Sequence, residues 1–409
     1  MFLIMVEPAY MEQFPAINRF YIYGSFLAVI ILFFLVVLER LFNLTILWIG
    51  LFYGVGLIAT VFGSGEVYAY CKSEFCALSM CLMAAVWMRR SPETLIKSAQ
   101  ILQVFVYINL ATVILYPDGL YTTDLYWNNW FLGYKNPQIR TILPIVALSL
   151  IYSYWKHGRL SLQSYALLAC SCATFLLVGS STALVGMGLF LLLVFLFHSK
   201  VKRIPRFINL GTAFVAVFVL QLGIIFFSVQ NHFAWFIEGV LQKSLDFTSR
   251  VGIWETALGM VADKPILGYG YLNSEYYTTV FGFVNATHPH NLILYILCTG
   301  GFVLLLVVVL GIIYATVKLD ASMESVYSKI LFSLLVCFFV MGITEALTAT
   351  VMLYPSLIMA MEADKFAAMG YRKGADRPPD EAQQEKPTAA GAKAGGFPWA
   401  ARRRGTRAA

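Results

Sequence analysis

Charge is what this sequence has least of. Only 12% of its 409 residues are Asp, Glu, Lys or Arg, about half the share found in a soluble domain, while 59% are hydrophobic and the mean hydropathy is +0.73. A water-soluble globular fold is therefore excluded. Phosphate-binding glycine loops, a dinucleotide fingerprint, ATPase motifs and internal repeats are also absent, so nothing suggests nucleotide-driven transport. The cysteines form no disulfide framework: Cys71, Cys76, Cys81, Cys170, Cys172, Cys298 and Cys337 all fall in or at the ends of apolar runs. No redox or metal role follows from them.

What the chain has instead is long apolar runs of roughly 18 to 25 residues, each enough to cross a hydrocarbon layer about 30 Å thick as a helix. They fall near 20–38, 43–62, 67–88, 98–116, 141–155, 162–179, 182–198, 207–229, 290–317, 328–344 and 346–361. The pattern predicts an all-α polytopic membrane protein with about eleven transmembrane helices. The opening MFLIMVEPAY is too short for the core of a cleaved signal, so the first span is expected to be the targeting element.

Basic residues set the orientation. Arg40, Arg89, Arg90, Lys97, Lys156, Arg159, Lys200, Lys202, Arg203, Arg206, Lys318 and Lys329 fall in or beside alternate connections, against only Arg19, Lys135 and Arg140 on the other side once the long loop is set aside. Lys and Arg favour the cytoplasm, so the N-terminus is expected outside and the C-terminus inside. The connections at 117–140 and 230–289 then face away from the cytoplasm. Residues 1–361 read as one transmembrane domain, and 362–409 as a disordered cytoplasmic tail with ten basic and six acidic residues. Its Arg402, Arg403 and Arg404 suit anionic lipid or topology better than nucleic acid. Lys72 and Glu74, near the outer end of the third span, receive no role.

The loop 230–289 is expected to be partly helical. Val251, Trp254, Leu258 and Val261 recur at helical spacing, predicting an amphipathic helix over 250–261 lying on the membrane domain. Thr248 and Ser249 suit its N-cap, Pro265 its end, and Gly268 and Gly270 a tight reversal. Arg250 falls in the first helical turn, where the free N–H groups and a guanidinium suit a phosphate; the plain alternative is an exposed arginine. His288 and His290 stand at the outer surface before an apolar helix. No cysteine or clustered carboxylate accompanies them in the loop, so a metal site is not expected. An imidazole there suits general-base work on a hydroxyl. The loop 117–140 adds Asp118, Asp124, Trp127, Trp130, Lys135, Asn136 and Arg140, with aromatic rings that fit either an interfacial belt or a sugar face.

The stretches SRVGIWETALGMVADKPILGYG and HPHNLILYILCTGG resemble the bacterial O-antigen ligase and O-antigen polymerase superfamily, which includes capsule and teichuronic-acid polymerases. The resemblance covers at least residues 131–317. Its most specific parts are Ser249 and Arg250 with Trp254, the turn of Pro265, Gly268 and Gly270, and the pair His290 and Asn291 with Gly301; GYKN around Lys135 and Asn136, and SSTALVG from Ser180, add to it. The resemblance implies a glycosyltransferase with the all-helical C-type architecture in the bacterial cytoplasmic membrane, its active site on the extracytoplasmic face. The implied donor is a polyprenyl-diphosphate-linked oligosaccharide, the acceptor a glycan or lipid-linked sugar, and the accompanying proteins a flippase and a chain-length regulator. It implies His290 as base, Arg250 and Lys135 on the diphosphate, and Asn136, Arg140, His288, Asn291 and Trp254 around the substrate, with inversion and without cofactor or metal. Ser181 stands where many ligases carry an arginine, which favours a polymerase, with Lys135 or Arg140 supplying the charge. The alternatives are a ligase acting on lipid A core and, from another class, a transporter or flippase of lipid-linked sugars. A flippase should line its central helices with charge, and spans four to eleven carry almost none.

Overall fold

The chain, seen as a computed structural model, is described over residues 6–199, 205, 207–227, 250–283, 286–347 and 352–370. A 3-10 turn at Ala9–Gln13 precedes α1 (Pro15–Leu38), α2 (Leu44–Phe62), α3 (Val67–Arg90) and α4 (Pro92–Leu115). A two-stranded hairpin follows, with β1 (Asn129–Trp130) antiparallel to β2 (Gly133–Tyr134). Then come α5 (Gln138–His157), α6 (Leu162–Leu177), α7 (Ser181–Ser199) and α8 (Leu210–Phe227). The segment between α8 and α11 holds α9 (Arg250–Asp263) and α10 (Ser274–Phe281); α11 (Leu292–Ala321), α12 (Val326–Met341), α13 (Leu353–Met361) and α14 (Ala363–Ala368) follow.

Five helices, α1 to α4 and α11, are long and apolar enough to cross a membrane; α6, α7, α8 and α12 are apolar but shorter. Their burial explains their composition. In α1 only Ser25, Ala28, Leu32 and Val36 are buried, one stripe at helical spacing against α3, and the rest of its apolar surface is left for lipid. By contrast α5 is buried on every side, as a helix apolar all round must be when protein surrounds it.

The eleventh span departs from expectation. It was expected as a continuous helix over 346–361, but α13 has nine residues, roughly 14 Å of rise, and Glu345–Leu347 are not helical. All nine residues of α13 are buried, so protein rather than lipid surrounds this strand of chain, and irregular backbone is tolerated at such a place. Part of the stretch expected as a disordered tail is ordered. Ala363–Ala368 are helical with Phe366 buried; residues 371–409 lie outside the described residues.

Two ends of the bundle gather polar groups. At one, Asn43 caps α2 and also donates to Glu362, which accepts in addition from Thr45 Oγ1 at 2.6 Å and from Arg89 Nε at 3.3 Å. Nearby, Glu39 pairs with Arg90 and Lys318 with Asp364. The other end, where the thirty-residue α11 begins, lies some 45 Å away along that helix and carries the segment with α9 and α10.

The helix α11 breaks at Gly301 (φ 61, ψ −162). The reversal after α9 fills the break: Tyr269 N donates to Cys298 O at 2.8 Å and Gly270 N to Thr299 O at 3.0 Å, while Phe302 N and Val303 N donate to Pro265 O and Ile266 O at 2.8 and 3.2 Å. Four backbone groups freed by the break are thus paired again, which a spanning helix requires. A Cβ at 301 would collide with the carbonyls of Ile266 and Pro265. Gly301→Ala should therefore lower stability by about 2 kcal/mol or more, read as a lower melting midpoint of the detergent-solubilised protein; an unchanged midpoint would show that the break is not required.

Candidate functional site

The site is assembled from three stretches that meet where α11 begins. The first is the hairpin β1–β2. Asn109 of α4 accepts from Leu132 N at 2.8 Å and donates to Gln138 at 3.0 Å, Gln138 donates to Gly133 O at 2.9 Å, and Trp130 donates to Tyr116 O at 2.8 Å. These bonds fix the chain entering α5 and so fix Arg140 in its first turn.

The second stretch is α9. Its buried face is Ile253, Trp254, Ala257, Met260 and Val261; these pack with Tyr277 and Phe281 of α10 onto Ile293, Leu294, Leu297 and Cys298 of α11. The expected helix is present, but its inner face is turned by about one residue, for Val251 is exposed and Ile253, Ala257 and Met260 do the packing. The proposed capping residues Thr248 and Ser249 lie outside the described residues. Arg250 opens the helix and points toward α5.

The third is the turn before α11 and its partner at the end of α12. Asn291 caps α11 by accepting from Leu294 N at 3.0 Å and donates to Ile343 O at 3.2 Å. Leu292 N donates to Gly342 O at 2.8 Å, and Gln221 reaches the same carbonyl at 3.1 Å. Trp254 Nε1 donates to Pro289 O at 3.1 Å. These clamps hold His290 at φ 49, a left-handed conformation that costs a non-glycine residue on the order of 1–2 kcal/mol and is worth noting where it coincides with functional groups. Trp254 and Asn291 were expected to touch substrate. Both are buried, and their polar groups hydrogen-bond to the turn around His290 and to the ends of the helices beside it.

Around Glu345 everything converges. Arg140 Nη2 lies 3.1 Å from Glu345 Oε2 and Arg250 Nη2 lies 3.7 Å from Oε1. Asn136 Nδ2 donates to Oε1 at 3.4 Å, its own Oδ1 accepting from Ser180 at 2.9 Å. The ligating atoms of His288, His290 and Glu345 lie within 4.8 Å of one another. Lys135 is placed differently, with its ammonium 5.8 Å from the centre of the Tyr134 ring, so Arg140 is the cation that joins Arg250 on Glu345.

The carboxylate expected to be missing beside the histidines is therefore present, supplied by Glu345 at a distance of 55 positions from His290. The three groups have a spacing that a divalent ion could bridge. Two guanidiniums on the same carboxylate oppose such an ion and favour an anion in its place. One signal in the sequence pointed to Glu345, a single acid in the apolar stretch 328–361, because charge inside a membrane domain is functional by default.

The electrostatics follow from this packing. His288 Nδ1 accepts from His290 N at 3.1 Å, so in the neutral ring the proton sits on Nε2. Burial, then His290, Arg140 and Arg250, push the His288 pKa well below its ordinary value. Burial also works against the charge on Arg250, opposed by Glu345 and Tyr126, yet arginine remains protonated. Burial and Glu345 raise Tyr126, whose ring stacks on Tyr134 at 4.0 Å. Because folding lowers the His288 pKa, the folded state binds fewer protons there than the unfolded chain, and stability falls as pH drops below about 6.5. The wild type should thus lose melting temperature from pH 7 to pH 5 faster than His288→Asn; identical slopes would contradict this.

Residues 166–309 match the family described as O-antigen ligase. No curated protein matches the chain. The matched stretch contains Arg250, Trp254, His288, His290 and Asn291, whereas Asn136, Arg140 and Glu345 join the same site from outside it. Across residues 166–309 the chain is similar to the O-antigen ligases, a family of membrane polysaccharide assembly, and the resemblance read from its motifs holds there.

Proposed function

We propose that this protein is a membrane glycosyltransferase that joins polyprenyl-diphosphate-linked glycan repeats into a surface polysaccharide. The observation that carries the reading is the meeting of Arg140, Arg250, His288 and His290 around Glu345 at one end of a membrane bundle. The acceptor is the hydroxyl of a glycan or lipid-linked sugar. His290 takes the hydroxyl proton as the oxygen attacks the anomeric carbon; the bond from that carbon to the diphosphate breaks, and the polyprenyl diphosphate leaves with the electron pair. Attack from the side opposite the leaving group inverts the centre.

Arg140 and Arg250 meet the diphosphate, two planar forks suited to two phosphate groups. Each preorganised cation of this kind contributes a few kcal/mol to the barrier. Before the donor arrives, Glu345 pairs with both and leaves one net positive charge for an anion. Once the phosphates occupy the guanidiniums, the carboxylate is left beside the imidazoles, where it orients His290 and stabilises the imidazolium that forms. Arg140 also supplies the charge that Ser181 does not, which supports a polymerase. The second reading, transfer to a lipid A core sugar, is supported by the description of the matched family.

Three measurements on purified protein in lipid test this reading, each with a polyprenyl-diphosphate-linked repeat. His290→Ala should lower turnover by about 10²–10⁴-fold; long product chains at the normal rate would remove it from the chemistry. Arg250→Lys should lose most activity, because an ammonium cannot make the two-pronged contact, and a normal product ladder would reduce its role to simple charge. EDTA should leave activity intact, whereas a loss restored by a divalent ion would reassign His288, His290 and Glu345 as ligands.

A further inference from the structure

A cleft of about 410 Å³ runs from Arg140, Tyr126 and Tyr134 to Glu7, Glu12 and Lys72, a volume in the ~300–1,000 Å³ range of small-molecule sites. Its two ends differ in charge. Arg140 closes one, and at the other two carboxylates face one lysine. The wall between is aromatic, with the stacked Tyr126 and Tyr134 rings near Arg140 and Tyr21 and Tyr121 toward the acids. Glu7 Oε1 is buried without a hydrogen-bond partner. Burial, with Glu12 beside it, raises the Glu7 carboxyl to about 7, so a ligand that donates a hydrogen bond would relieve it.

We infer that this cleft is the acceptor subsite and that it takes neutral or amino sugars and rejects anionic ones, an inference that rests on the glycosyltransferase reading above. Tyrosine faces suit the C–H side of a sugar ring, and carboxylates accept from its hydroxyl or ammonium groups. A diphosphate is drawn to the Arg140 end and repelled from the Glu7 and Glu12 end, which fixes the direction in which donor and acceptor lie. A phosphorylated or uronic sugar placed among the acids meets like charge. A polyprenyl chain would leave the carboxylates desolvated and unpaired.

The test uses saturation-transfer NMR on the full chain in detergent, with methyl glucoside, glucosamine and glucose 6-phosphate as probes. The first two should receive saturation and the third should bind at least roughly tenfold more weakly. The shape-conserving double variant Glu7→Gln/Glu12→Gln should weaken glucosamine roughly tenfold. Equal binding of glucose 6-phosphate to the wild type, or wild-type affinity of the double variant for glucosamine, would overturn the assignment; the first comparison needs no variant to fold. Geranylgeranyl diphosphate supplies the separate arm. Its binding should be lost in Arg250→Ala and kept in the double variant. Normal binding by Arg250→Ala would sink the diphosphate site alone, leaving the sugar probes to judge the cleft.

Discussion

The Glu345 carboxylate is the group on which the candidate site depends. Two guanidiniums brought together in a poorly solvated place repel each other and lose hydration, and Arg140 and Arg250 come from helices far apart in the chain. A single buried anion between them offsets both costs in the unloaded protein. It also gives the site a reason to be stable before substrate arrives and a charge deficit of the right sign when an anion displaces the pairing. The buried Glu362 with Arg89, Asn43 and Thr45 does the corresponding task at the opposite end. There the carboxylate ties the start of one helix to the end of another.

Holding Glu345 in place is a problem of backbone satisfaction. The backbone N–H of Leu292 and the side-chain amide of Asn291 tie the start of α11 to the carbonyls just past α12, those of Gly342 and Ile343. The histidines and the carboxylate are therefore placed by neighbouring residues of the same junction. The break at Gly301 does comparable work one level down, because its freed carbonyls and amides are the docking points for the turn that ends α9. The segment of α9 and α10 is thus joined to α11 twice, by apolar packing and by backbone hydrogen bonds at the break.

Much of this was legible from composition and spacing. Apolar runs located the long helices because a helix that meets lipid must be apolar over its length, and a run of that kind is unambiguous. The last span misled for the same reason: Leu353–Met361 is apolar because protein buries it, and composition does not separate that from contact with lipid. The face of α9 was misjudged by about one residue since Val251 and Ile253 are equally apolar, and only the position of α11 decides between them. Arg250, Arg140 and His290, singled out in the sequence, are brought together by folding, whereas Trp254 and Asn291 are buried against the turn before α11. Glu345 escaped because its partners are brought to it by folding, from as far away as position 140.

The backbone at position 290 carries one more consequence. On conformational grounds alone glycine would be the better residue there, for it accepts a positive φ at no steric cost. Under the proposed role of His290, an imidazole in that place sets the requirements of folding against those of turnover at a single residue. His290→Gly would relieve the main chain while deleting the ring, so durability and catalytic rate would move in opposite directions.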